Sequence, residues 1–282
     1  MWQYNYSNEL YHYGVKGMKW GVRKKYYKSY MDRDRIIKRG TSIQNISKNE
    51  ARDLNRNSPV YGAYTKHDRN AYQGNYASMI NMMGDKAIKN DLALIKDVKI
   101  PSQKKAVETF MELYKKDPKG IAESIGKAHS ELTAFNGVDK IRNWKAKQIA
   151  NKFAKKGENW VKEKGYLLFN QSMMSTEEDR ARTEYYKLLS KKGYDAISDI
   201  NDVQNGYRSD DPIIFINPKS TLKTLKTREL DMTDIEIANA RYRYDEALKD
   251  KGIVDTLFVG EYRDAKKNLR KVEKKYNMPT TV

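Results

Sequence analysis

The chain has 282 residues with 55 Lys and Arg against 37 Asp and Glu, a net charge of +18. It contains no Cys and only three scattered His, which excludes disulfides, thiolate catalysis and cysteine-based zinc sites and gives no metal-ligand spacing. No apolar run approaches membrane-spanning length, and the N-terminus lacks the apolar core of a signal peptide. Length and 31 aromatics, 21 of them Tyr, support a packed core with half-wet interfaces. The basic surplus favours an anionic partner such as DNA or another polyanion; a Lys-rich genome gives the same number.

Residues 1–30 read as a flexible docking tail, residues 31–228 as the main domain and residues 229–282 as a C-terminal helical hairpin. Arg35 to Thr41 reads as a short strand ending at Gly40, and Pro59 to Thr65 as a second. Lys66 to Met83 follows as a helix, with Asp68 near its start. Asp91 to Ile100 is a third strand, closed by Pro101.

Residues 102–161 read as an inserted helical block. Ala106, Phe110, Leu113 and Tyr114 make one amphipathic stripe, and Pro118 breaks it. Ile121, Ile125, Ala128 and Leu132 make a second stripe; Ile141, Trp144, Ile149 and Phe153 make a third. Lys140 to Lys156 carries seven cations and no acid. That face suits phosphates or anionic lipid, or is a solvated face over a packed stripe.

Leu167 to Ser172 reads as a strand. Ser175 to Glu178 is a capping box opening a helix that ends near Gly193. Tyr194 to Asp199 and Pro212 to Ile216 are strands either side of a turn-rich loop at Asn205-Gly206. Thr233 to Glu236 is a second capping box. Phe258, Tyr262, Ala265, Leu269, Val272 and Tyr276 then recur with heptad spacing, as in an antiparallel hairpin or a short self-associating coiled coil.

Tyr11 to Lys25 packs three glycines, one Trp and five cations into a segment without helical or strand period. Tyr13, Met18 and Trp20 are anchors that a partner's pockets could bury. The stretch His12 to Arg23, with Lys16, Met18, Trp20 and Arg23, resembles a short segment found near the ends of tailed-phage structural and head-associated proteins. The resemblance implies docking to phage capsid or portal proteins, location in the virion head, and later delivery to the host cytoplasm. The plainer reading is a tail whose aromatics rest on the domain surface.

Three further segments resemble the ADP-ribosyltransferase superfamily. They are Lys38-Arg39-Gly40-Thr41; Val60 to Thr65 followed by Asp68 to Ala77; and Gly193 to Ile197 followed by Asp211 to Pro218. The resemblance implies an α+β fold with a small split antiparallel or mixed sheet, here with the helical insertion and the C-terminal hairpin. It also implies NAD as substrate, held by Arg39, Gly40, Thr41, Tyr61, Tyr64 and Tyr72. A carboxylate would stabilise positive charge on the ribose, with Asp199 and Asp202 as candidates. The Glu-x-Glu pair of arginine-specific members is missing from this sequence. Each residue also has a structural reading: Arg39 as a surface ion-pair partner, Tyr61 and Tyr64 as strand core, Asp199 and Asp202 as turn residues. Three functions stay open: a mono-ADP-ribosyltransferase with an unknown host target, an inactive minor head or DNA-proximal protein, and an inhibitor of a host defence system.

Overall fold

The computed structural model describes residues 33–55, 58–133, 138–173, 179–199, 211–251 and 259–279. The chain is mixed α+β, with small antiparallel sheets. Its strands are β1 (Arg35–Ile37), β2 (Ser42–Lys48), β3 (Val60–Gly62), β4 (Ala87–Leu94), β5 (Val98–Ile100), β6 (Ala196–Ser198), β7 (Ile213–Phe215) and β8 (Leu222–Glu229).

β1 pairs with β5 and β2 with β4 in one continuous register, Arg35 opposite Ile100 and Ser42 opposite Ala93. The two pairs are therefore one bent ribbon. The bend falls at Gly40, whose φ of 84° is one that side-chain-bearing residues avoid. Gly40 N–H donates to Leu94 O, and Leu94 N–H to Thr41 O, holding the ribbon through the corner. The strands expected at 35–41 and 91–100 are thus each broken by this corner, and β4 begins earlier, at Ala87.

The other sheet has the order β3-β7-β6. It is stitched to the ribbon at both sides, through the Gln44–Ala63 bridge and through Asp195 N–H donating to Lys99 O. Both its faces are buried, so its strands read as unbroken apolar runs such as Ile213-Ile214-Phe215. Ala196, Ile213 and Phe215 face the ribbon; Ile197 and Ile214 face the helices. β8 completes the β2-β4-β8 sheet. Its polar sequence Leu-Lys-Thr-Leu-Lys-Thr-Arg-Glu hid it, because most of its side chains are exposed at an edge.

The helical block contains α3 (Gln103–Lys116), α4 (Pro118–Thr133), α5 (Val138–Trp160), α6 (Tyr166–Ser172) and α7 (Arg180–Lys191). They follow α1 (Lys66–Ala71) and α2 (Ala77–Met82), which a π-helical turn at Tyr72–Tyr76 joins. Ser102 caps α3 by accepting from Lys105 N–H, and Thr65, not Asp68, caps α1. The stripe Ala106, Phe110 and Leu113 is buried as its spacing requires. Phe110 packs on Tyr166 and Phe169 with ring centroids 5.5 and 5.3 Å apart.

Two expectations here are corrected. Leu167–Ser172 lies in a helix, not a strand; a three-residue apolar run fits either period, and packing of Phe169 against Phe110 and Tyr185 decides it. Trp144, expected with Ile149 and Phe153, is 56% exposed while those two are buried. The capping box at 175–178 falls outside the described residues, and α7 is capped by Asp179, which accepts from Arg182 N–H.

After α8 (Pro218–Thr221) and β8 come α9 (Met232–Lys251) and α10 (Val259–Lys275). Asp231, rather than Thr233, accepts from Asp234 N–H at the start of α9. α9 lies against α10, burying Ala240, Leu269 and Val272. Its other side lies against the π turn, so closely that a Cβ on Gly74 would stand 2.6 Å from Asn239. His67 on α1 and Glu246 on α9 form a mostly buried pair at 3.2 Å.

Candidate functional site

β6 places successive side chains on opposite faces of its sheet, and a polar cluster lies on each face. On the ribbon side, Ser198 accepts from Arg35 Nη2 at 2.6 Å. The same guanidinium grips Asp211 in bidentate fashion, Nη2 donating to Oδ1 at 2.7 Å and Nη1 to Oδ2. Tyr64 O–H also donates to Asp211 Oδ2. Asp211 N–H donates to Asp68 Oδ2 at 3.1 Å, and Thr65 O–H to the same oxygen at 2.7 Å. Four separate segments of the chain therefore meet at one buried ion pair; the Asp211 side chain is 3% exposed and Arg35 15%.

Beside it, Asp34 accepts from Lys105 Nζ, Ser102 N–H and Tyr194 O–H. Burial opposes its ionisation, but the bonds from Lys105, Ser102 and Tyr194 outweigh that and hold its carboxyl below the usual range.

On the helical side lies Asp199, fully buried, its N–H donating to Pro212 O at 2.9 Å. Around it are Tyr166 and Tyr186. Burial pushes the Tyr166 phenol up to about 12; the Asp199 charge adds to the rise, and the bonds with Tyr185 and Asn170 ease it. Burial raises Tyr186 and Tyr185 too. Arg182 Nη1 donates to Ser172 O at 3.0 Å, with Asp179 3.8 Å from its Nε.

The residues expected to hold NAD are not gathered in one place. Arg39 is exposed in the corner, its N–H donating to Asp97 Oδ1 at 2.9 Å. It lies four positions after Arg35, past the end of β1. Gly40 and Thr41 build the same corner, Thr41 O–H donating to Lys38 O. Tyr61 packs on the helical core, and Tyr72 packs with Tyr76 in a separate cluster. Tyr64 alone of that set enters the Arg35 cluster. As a set these residues do not fit NAD. Asp199 is in place beside β6 but sealed among tyrosines, and Asp202 lies outside the described residues. So do His12, Lys16, Met18, Trp20 and Arg23.

Sequence reasoning missed Arg35, Ser198 and Asp211 as partners. The available signal was position: each stands at the end of a short apolar strand, where side chains leave the core and converge. Among the described residues no group of three or more His, Asp or Glu is placed to hold a metal. No helix among them is long and apolar enough to cross a membrane. A hollow of about 310 Å³ lies elsewhere, lined by Ser78, Ile235, Asn239, Arg243, Asn268 and Val272.

Residues 4–26 match the model of a family of unknown function, DUF7211. No curated protein and no solved structure matches the chain.

Proposed function

We propose that this chain is a tailed-phage particle-associated protein, docked on capsid or portal protein through residues 11–25, whose ADP-ribosyltransferase-like body is a binding scaffold rather than an enzyme. The observation that carries the second half is the Arg35–Asp211 pair. A guanidinium that grips an anionic substrate needs free donors. Here Arg35 gives its fork to Asp211 and Ser198, and Asp211 takes Tyr64 as well. Asp199 faces tyrosines in the interior. The arrangement braces the meeting point of the ribbon, the β3-β7-β6 sheet and α1. The family match covers residues 4–26, the segment that holds the proposed docking peptide, and not the body.

The test has two arms. A mass-spectrometric inventory of purified particles should contain the chain, and deletion of residues 1–25 should remove it; unchanged incorporation of the deleted form would refute docking. Purified protein should leave labelled NAD untouched. The enzyme reading, delivery of a mono-ADP-ribosyltransferase to a host target, keeps one observation in its favour, the convergence of Arg35, Tyr64, Ser198 and Asp211. Turnover of NAD that Asp211→Asn abolishes would establish that reading instead.

A further inference from the structure

α5 is the most strongly basic element of the described chain. Between Lys140 and Lys156 it has seven cations and no carboxylate. Its inner side is fixed: Ala146, Ile149 and Phe153 are buried. α4 approaches so closely there that a Cβ on Gly126 would stand 2.6 Å from Arg142 O. At 3.6 residues per turn the opposite stripe is Lys140, Trp144, Lys147, Asn151 and Lys155. All five are exposed, Trp144 by 56%. Lys145, Lys152 and Lys156 form a second row on the flank.

Several cations elsewhere have an acid beside them: Lys96 has Asp195, Lys105 has Asp34, Lys275 has Glu236. Among the described residues, Lys140, Lys145, Lys147, Lys152, Lys155 and Lys156 have none within ion-pair distance. The crowding has a cost. Burial and the Lys152 charge hold Lys145 below the ordinary lysine range, and burial with the Lys145 charge does the same to His129 on α4. An arriving anion relieves both.

We propose that the outer stripe of α5 binds single-stranded nucleic acid, with phosphates on Lys140, Lys147 and Lys155 and an unpaired base stacked on Trp144. An exposed aromatic set between lysines matches one base flanked by phosphates on a single strand. A lipid surface fits less well. A helix lying in a bilayer interface turns a whole apolar face outward, whereas the apolar face of α5 is spent on the core and Trp144 is, among its described residues, the one exposed large apolar side chain. A duplex fits less well because its bases are already stacked on one another. The inference is independent of the docking and scaffold reading.

Fluorescence anisotropy with a labelled oligothymidylate tests it, on the full chain, across a salt series. Binding should weaken with salt. The K140Q/K147Q/K155Q variant should lower the slope of log affinity against log salt by about 2, as expected for three lost phosphate contacts on a single strand. Trp144→Ala should weaken binding roughly tenfold with the slope kept, which is the mark of stacking rather than charge. All four side chains point outward, so circular dichroism of the variants should match the parent. The proposal is overturned if the triple variant binds as the parent does, if the parent ignores the oligonucleotide but binds phosphatidylserine vesicles, or if duplex is held as tightly and Trp144→Ala changes nothing.

Discussion

The guanidinium of Arg35 and the ammonium groups of α5 sit in opposite surroundings. Arg35 is mostly buried and meets a carboxylate, a serine and, through Asp211, a tyrosine, all from distant parts of the chain. The lysines of α5 are exposed or half-buried, and among the described residues no acid lies within ion-pair distance of them. The first kind of charge holds the fold together and is spent in doing so. The second adds little to folding and stays open to solvent. A net charge of +18 does not separate these uses; burial and pairing do.

The comparison breaks most sharply at Arg35. Arg35→Met should lower stability by about 3–5 kcal/mol, because it strands Asp211 in the interior. Urea unfolding measures this. Converting the partner too, Arg35→Met with Asp211→Leu, should restore most of the loss, since a buried ion pair and a packed apolar pair are often close in free energy.

The helical side of β6 should show itself at high pH. Tyr166 ionises at about 12 in the folded chain against an ordinary 10.0. The unfolded chain thus gives up the proton first. This stabilisation is whole below pH 10 and declines as pH rises towards 12. The urea midpoint should fall across that window, together with the rise in phenolate absorbance. Asp199→Asn should shift the absorbance rise to lower pH, because the Asp199 charge is one of the causes that raise Tyr166.

Between these two faces the packing is tight. Gly62→Ala would place a Cβ 2.6 Å from Ile43 Cγ2 and 2.7 Å from Phe215 Cε2. It should cost about 1–3 kcal/mol by overpacking. Asp179→Ala removes the cap of α7 and should cost about 1 kcal/mol. At the other end of the scale, Lys147→Gln and Lys155→Gln should move stability by no more than about 0.5 kcal/mol. A large destabilisation there would show that α5 charges do structural work and would blur the contrast with Arg35.

The apolar pattern carried much of the architecture. The stripe of α3 and the run Ile213-Ile214-Phe215 could be read directly, because burial of an amphipathic face leaves its period in the chain. The polar edge strand β8 left no such trace. α6 was ambiguous because its apolar run is too short to reveal a period. Trp144 went to the wrong side of α5 because a stripe drawn through Ile141, Ile149 and Phe153 is wide enough to admit it. Of the residues singled out in the sequence, Tyr64 joins the Arg35–Asp211 cluster and Asp199 is buried beside β6, whereas Arg39 stands in the exposed corner.

By itself the sequence determined which segments bury apolar side chains, that no cysteine chemistry occurs, and that residues 140–156 are a run of cations without acids. Only the tertiary structure decided that Arg35 rather than Arg39 meets a carboxylate. An ion pair depends on which strand ends lie side by side, and that follows from the ribbon bending at Gly40 and closing on β6 and β7, a contact between residues more than 160 positions apart. Local sequence fixes a side chain's direction; the fold supplies what it points at.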